Sequence, residues 1–509
     1  MFISSYNRIT GLSGSGFDIE GTVEKIMQAK RKNYDRLFQK KQTTTWKKEA
    51  YQEINLALTK FRESAFNMQL SGNILAKKAS STNESKVSAS ALSSATNGTN
   101  KIWVKSLAEG ATKTSTGSVI PTGHASNESL ASLFGVSGDI KFEINGEEVT
   151  VNSNDSINGL VMAINYKSDI TNVKASYDST SNRFFLTTTR TGEDQKIELT
   201  DTADSFLNTC LKLNTTDVVT GKSAEVYLND MDRSGEGLKY SSNSFTINGV
   251  NYNLKNITGM GDNDYVAVNV ESDVDAIFDK IKNFMDDYNS LLDTLYGKLH
   301  EEKLYKQFPP LTDQQKEQMK EEDIKKWEEK SKTGLLTNDM YLNNGFNALR
   351  EAMIQPVAGL ANSSQLTAIG IETGFYYEYG KLKFSDSSGD KLKEALRKDP
   401  DSVIRLFNQA GTVDTATNTD SRGIAVRLTK AIDNTLGDLQ KLAGGKSSGA
   451  LDRNTTLGEQ IYELGNRVSA EETRLKKIEE RYWAQFTKME QALSKMNTQS
   501  SWLSQQLGG

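Results

Sequence analysis

From Leu457 onward, apolar side chains recur on one helical face: Leu457, Ile461, Leu464, Val468, Leu475, Ile478, Tyr482, Phe486, Met489, Leu493, Met496, Leu503 and Leu507. The steps alternate between four and three residues, with Glu471 and Ser500 at the two seam positions that lack an apolar side chain. That spacing is a coiled-coil seam. A lone helix of this length leaves the stripe in water, so burial favours a partner: another helix of the chain, a second copy or a different protein. The sequence stops within the stripe, which favours assembly over catalysis. Two consecutive four-residue steps, Ile478 to Tyr482 to Phe486, form a stutter that locally unwinds a supercoil. The seam therefore reads as a flexible leg rather than a permanent zipper.

A partner in cis is available near the other end. Residues 19–45 predict a thin, basic amphipathic helix with Ile19, Val23, Ile26 and Leu37 on one side, and Asp18 placed to cap it. The Gly/Ser-rich residues before it are expected to be irregular. Residues 46–70 predict a separate, better patterned helix carrying Trp46, Ala50, Ile54, Ala57, Phe61, Ala65 and Met68. Ser71-Gly72-Asn73 ends it.

Between residues 76 and 272 the apolar period changes to two. Ile102-Trp103-Val104, Phe142-Glu143-Ile144, Val173-Lys174-Ala175 and Val266-Ala267-Val268 mark half-buried strands. Asn145-Gly146 and Asn248-Gly249 predict type I′ hairpins, and the segments starting at Phe142 and Phe245 resemble each other. One short helix interrupts the strands, with Asp155 expected to cap Ile157, Leu160, Val161 and Ile164. Helices return at 273, with predicted elements at 273–299, 312–331, 338–358, 390–398, 401–407 and 422–442. A short β-like piece, Gly380 to Phe384, lies among them, and residues 410–421 read as a loop. A Gly/Ser hinge, Gly444 to Gly449, precedes the tail.

The implied fold class is α+β multidomain: terminal helices forming a coiled-coil leg, a helical bundle, and two inserted β-rich head modules. The expected boundaries are 1–45 for an N-terminal leg segment, 46–75 with 273–443 for the bundle, 76–115 with 215–272 for a β-rich plate, 116–214 for an outer head module, and 444–509 for the hinge and coiled-coil leg. A chain of 509 residues accommodates several such units.

Enzyme chemistry finds little support in the residues. Two histidines, His124 and His300, and one cysteine, Cys210, are too few for a His/Cys metal site. Gly445-Lys446-Ser447 lacks the upstream glycine of a phosphate loop, because Gln440 occupies that position. No catalytic, cofactor or metal residues are assigned. The formal charge of −5 argues against nucleic acid, despite Lys30-Arg31-Lys32 and Lys47-Lys48. No stretch of about 18 apolar residues exists to insert in a membrane, and the first residues do not pattern as a cleaved signal. A single cysteine excludes an internal disulfide.

Several segments resemble one family, the bacterial flagellar filament cap proteins, or flagellar hook-associated protein 2. They are Gly11-Leu12-Ser13-Gly14-Ser15-Gly16-Phe17-Asp18, Trp46-Lys47-Lys48-Glu49-Ala50-Tyr51-Gln52-Glu53-Ile54-Asn55, Pro310-Leu311-Thr312-Asp313-Gln314, Gly334-Leu335-Leu336-Thr337-Asn338-Asp339 and Asp399-Pro400-Asp401-Ser402-Val403. The hairpin at Phe142, its helix and the strands from Val173 to Thr189 resemble the small β-module of flagellins and cap proteins. One departure is the absence of proline around Lys32-Asn33-Tyr34, where the family pattern has one. The resemblance implies a secreted, extracellular protein at the flagellum tip. It implies a homo-oligomeric ring, a pentamer in the family, that retains exported flagellin and promotes its folding and insertion. It also implies flagellin, the flagellar type III export apparatus and an export chaperone as partners, with contact to a host surface as an added role. A surface adhesin or another flagellar axial (hook–filament) protein is the competing reading, and a hydrolase using the Ser/Thr/Asp-rich β surface is a third.

Overall fold

The structure is a computed structural model that describes residues 18–201, 205–360, 364–445 and 453–507, apart from the side chains of Tyr376, Gln505 and Leu507. The glycine-rich segment before Asp18 and the hinge residues Lys446 to Gly449 lie outside the described residues. The chain divides into two compact units. Leu75–Asp273 forms one, and the segments on either side of it form the other.

The helical unit begins with a single helix, Ile19–Asn67, in place of the two expected. The boundary expected between residues 45 and 46 falls inside this helix, beside three consecutive threonines. Each bonds its hydroxyl back to the preceding turn: Thr43 to the Gln39 carbonyl at 2.8 Å, Thr44 to Lys40 at 2.8 Å and Thr45 to Lys41 at 3.0 Å, so no hydroxyl competes for the backbone N–H groups of the helix. Asp18 caps it as expected, accepting the Gly21 N–H at 2.8 Å.

The second half of this helix packs against Val274–His300 and Ile424–Ala443, and Ile424–Ala443 packs in turn on Met340–Ile354. The bundle therefore closes across the β insertion, as the apolar faces predict. Its centre is aromatic: Phe61 stacks on Phe284 with centroids 5.6 Å apart, and Phe407 meets Phe284 edge-on at 6.0 Å. Tyr51, Leu58 and Ala65 complete the buried face with Trp46, Ile54, Phe61 and Met68, while Ala50 and Ala57 are half-buried.

The charged helix expected at 312–331 is two pieces, Asp313–Glu317 and Glu321–Lys332. A Thr312–Gln315 capping box starts the first piece, and Lys320 is extended where the second begins. Lys316 reaches Glu328 at 2.6 Å, and Trp327 Nε1 donates to the Pro309 carbonyl at 2.8 Å, so the pieces fold back on each other. Shorter differences occur elsewhere. The helix expected at 338–358 is Met340–Ile354, just before Pro356. The loop at 410–421 contains a small ladder, Val413–Asp414 with Thr419–Asp420.

The Leu75–Asp273 unit carries two apolar cores. A five-stranded antiparallel sheet, in the order Lys77–Ser81, Val266–Ser272, Gly98–Ser106, Ala224–Leu228, Leu238–Tyr240, covers one core with the three-stranded sheet of Ser244–Ile247, Val250–Leu254 and Val87–Ala91. The other core gathers Phe142, Val149, Leu160, Phe184 and Leu213. The strands leading to and from this second core pair at Glu109 and Lys222, whose N–H and carbonyl groups exchange bonds of 2.9 Å. Ala108 packs in the first core and Ala111 in the second, so the chain passes from one core to the other at this pairing. Both hairpin turns have positive φ at both central residues, 52° and 84° at Asn145-Gly146 and 50° and 79° at Asn248-Gly249, as type I′ requires. The helix Ile157–Tyr166 is capped by Ser156, not Asp155. The Asp155 carboxylate instead accepts the Asn152 N–H at 3.2 Å.

Candidate functional site

The tail stripe forms a single helix, Thr456–Leu507, and its partner is the first half of the Ile19–Asn67 helix. The two run antiparallel. Near the base, Leu464, Val468 and Leu475 enclose Tyr34 and Leu37. Farther along, Trp483 covers Ile19 and Val23. Met27 touches both clusters and bridges them.

The side chains of the expected seam differ in burial. Leu457, Ile461, Leu464, Val468 and Leu475 are buried. Ile478, Tyr482, Phe486 and Leu493 are half-buried. Met489, Met496 and Leu503 are exposed, the last two at 63% and 50%. The side chain of Leu507 lies outside the described residues. On the opposite helix Ile19, Val23 and Leu37 are buried, but Ile26 is only half-buried, and Met27 takes the contact assigned to it. Glu471 fills its seam position at little electrostatic cost, because Arg474 Nη1 binds it at 2.7 Å.

The seam spacing identifies neither Tyr34 nor Trp483. Tyr34 lies three residues before Leu37, a spacing that signals a shared face. Trp483 follows Tyr482 immediately, so heptad counting keeps one and discards the other. The structure uses both: Trp483 is buried against Ile19 and Val23, and the half-buried Tyr482 packs on the same cluster. Burial and the Glu472 carboxylate push the Tyr34 phenol above its ordinary value, with the nearby Arg31 opposing them.

The residues weighed for chemistry are scattered. His124 Nδ1 lies 2.8 Å from Glu128, and His300 Nδ1 lies 2.9 Å from the Tyr296 carbonyl. Burial raises the Cys210 thiol, the direction opposite to activation. Among the described residues no group of three or more His, Cys, Asp or Glu is arranged to hold a metal ion, and no helix is long and apolar enough to cross a membrane. What the long helices do offer is a two-helix stem with an uncovered apolar end.

Residues 15–111 match the N-terminal family model of flagellar hook-associated protein 2, and residues 221–498 match its C-terminal model. The chain belongs to the flagellar hook-associated protein 2 family. The two family models stop and resume beside the Glu109–Lys222 pairing. Between them, residues 139–190 match the flagellin hook IN motif, which spans the Asn145-Gly146 hairpin, its helix and the strands Val173–Asp178 and Arg183–Thr188. This agrees with the resemblance of that segment to the flagellin β-module. The hook-associated protein 2 of Halalkalibacterium halodurans is 30% identical, over 98% of this chain and 99% of that protein. The B-type hook-associated protein 2 of Pseudomonas aeruginosa is 26% identical, over 87% of this chain and 85% of its own length. Among solved structures, the D1-D2-D3 domains of the Escherichia coli flagellar cap protein FliD share the fold, with a TM-score of 0.51 and 19% identity over 82% of this chain and 99% of that one.

Proposed function

We propose that the chain is the structural filament cap at the distal tip of the bacterial flagellum. Membership of the hook-associated protein 2 family over nearly the whole sequence carries this reading. The likeness of fold to a flagellar cap protein accompanies it. The protein works outside the cell, associates with copies of itself and with flagellin, and acts by steric guidance with no covalent step.

Finer features extend the same reading. The copies form a closed ring, a pentamer, and the paired terminal helices form a leg that seats among flagellin subunits. The exposed Met496 and Leu503 are what such a leg would bury on seating. The β-rich modules form the plate that retains exported flagellin while it folds and inserts. Export uses the flagellar type III route with a dedicated chaperone, and the plate is the surface a host would first meet. Electron microscopy of a strain lacking its own cap tests the proposal. The full chain should restore filaments, and a chain lacking residues 450–509 should not. Normal filaments from the truncated chain would remove the leg from the mechanism.

A further inference from the structure

The two edges of the stem carry opposite charge. On the Thr456–Leu507 helix, Arg467, Arg474 and Arg481 recur every seven residues, directly before the seam residues Val468, Leu475 and Tyr482, and all three are exposed. A seven-residue spacing keeps them along one edge of a coiled-coil helix. Glu472 and Glu479 also lie seven residues apart, directly after the seam residues Glu471 and Ile478. At about 100° per residue they fall on the other edge of the seam. On the partner helix the exposed Arg36 and Lys40 lie about 120–160° round from Glu24, so the separation of charge continues there.

The acidic edge borders a groove of about 520 Å³ between the two long helices and the Asp313–Glu317 helix. Glu20, Glu24, Asp313, Glu317, Glu472 and Glu479 line it, and Val23, Met27 and Leu475 add apolar surface. Its one lining cation, Arg31, already has the Asp35 carboxylate at 3.9 Å. Such a groove fits long basic side chains, which lay an aliphatic stem on apolar surface and place the charged end among carboxylates. The chain itself presents a row of these side chains, on the opposite edge of the same stem.

We propose that the stem docks on a second copy of itself, with the basic edge at Arg467, Arg474 and Arg481 of one copy lying along the acidic groove of the next. The two surfaces differ and lie on opposite edges, so the contact is head-to-tail, and each copy keeps a free surface for a further neighbour. A contact of this type closes into a ring where the rotation between copies permits it. Its complementary charge sets the register of one stem on the next. The contact rests on the proposed assembly of copies into a cap, and it supplies the surfaces that meet.

Sedimentation velocity of the full chain tests it, with electron microscopy of the same samples. Raising sodium chloride from about 50 to about 500 mM should weaken self-association about tenfold. Arg474 also serves the seam through Glu471, so the variants use its neighbours along the edge. Arg467→Glu with Arg481→Glu should weaken association at least about tenfold at low salt, and so should Glu472→Lys with Glu479→Lys. A chain carrying all four changes exchanges the two signs and should return to within about threefold of the unmodified affinity, which a folding defect would not produce. A fourfold variant that keeps its helical circular dichroism but does not regain association overturns the pairing. Rings formed by the Arg467→Glu, Arg481→Glu chain with unchanged affinity and salt response overturn the contact and leave the capping role standing. An unmodified chain that stays monomeric overturns self-association, and the contact with it.

Discussion

The Tyr51 hydroxyl donates to the Asp339 carboxylate, which also takes the Lys47 ammonium at 3.4 Å and the backbone N–H groups of Tyr341 and Leu342 at 3.1 and 3.3 Å. One side chain thus starts the Met340–Ile354 helix and ties it to the Ile19–Asn67 helix, joining segments that flank the β insertion in sequence. Tyr51 is fully buried, and burial together with the bond to Asp339 pushes its phenol well above the ordinary value.

Removing the carboxylate should therefore cost more than removing the hydroxyl. Asp339→Ala loses a helix cap and leaves a buried phenol without its acceptor, about 2–4 kcal/mol together. Tyr51→Phe removes one hydrogen bond and leaves Asp339 its other partners, about 1 kcal/mol. Urea unfolding followed by helical circular dichroism measures both. Equal costs for the two variants would mean that Asp339 does not act as the shared anchor.

The two ends of the tail helix should separate stability from assembly. Leu475 is 2% exposed and enclosed by the Ile19–Asn67 helix, so Leu475→Ala should loosen the helix pair by about 2–5 kcal/mol. Leu503 is half-exposed, so Leu503→Ala should change the stability of the single chain by less than about 0.5 kcal/mol. Hydrogen exchange of residues 19–37 reads the first effect, and sedimentation or electron microscopy of assemblies reads the second. A Leu503 variant that assembles normally would show that the exposed end is not a contact surface.

Much of this architecture is legible in the sequence because it rests on period. The seam, the bundle faces and the two Asn-Gly hairpins each repeat a spacing that survives any tertiary context. Pattern misleads where a side chain contributes more than its position in a repeat. Heptad counting selects Ile26 and Tyr482; the long Met27 makes the contact expected of Ile26, and the wide Trp483 joins Tyr482 in the seam. The change of apolar pattern near residue 45 suggests two helices, yet one helix runs through it, with Thr43, Thr44 and Thr45 each satisfying its hydroxyl within the helix. The burial of Arg427 leaves no sequence signal, because its acceptor, the Gln355 carbonyl, lies 72 residues away in the chain.

Acid should act locally on the outer β module at Glu128. Its carboxylate accepts from the Ala125 N–H at 2.8 Å and the Ser132 hydroxyl at 2.7 Å, and lies 2.8 Å from His124 Nδ1. The bond to His124 and then the one to Ala125 hold it down at about 2. A depressed carboxylate contributes stability above its unfolded value, near 4.5, and loses it as pH falls towards 2. The loop around 124–128 should therefore loosen across that window, read as exchange of the Ala125 amide. Glu128→Gln should remove the pH dependence of that amide. An unchanged profile in the variant would assign the acid response to another group.

The two Asn-Gly turns should respond differently to the same substitution. Gly146 has φ of 84°, and a Cβ added there would meet nothing within 4 Å, so Gly146→Ala carries only the strain of a left-handed backbone, about 1 kcal/mol. Gly249 has φ of 79°, and a Cβ there would lie 2.8 Å from the Ala95 nitrogen and 2.9 Å from its Cα. Its carbonyl also accepts the Leu92 N–H at 2.8 Å, so the turn cannot retreat without losing that bond. Gly249→Ala should accordingly cost at least about 1 kcal/mol more than Gly146→Ala. Chemical denaturation of the two variants, followed through residues of each core by NMR, makes the comparison. Equal destabilisation would mean that the 92–95 segment yields freely and does not brace the turn.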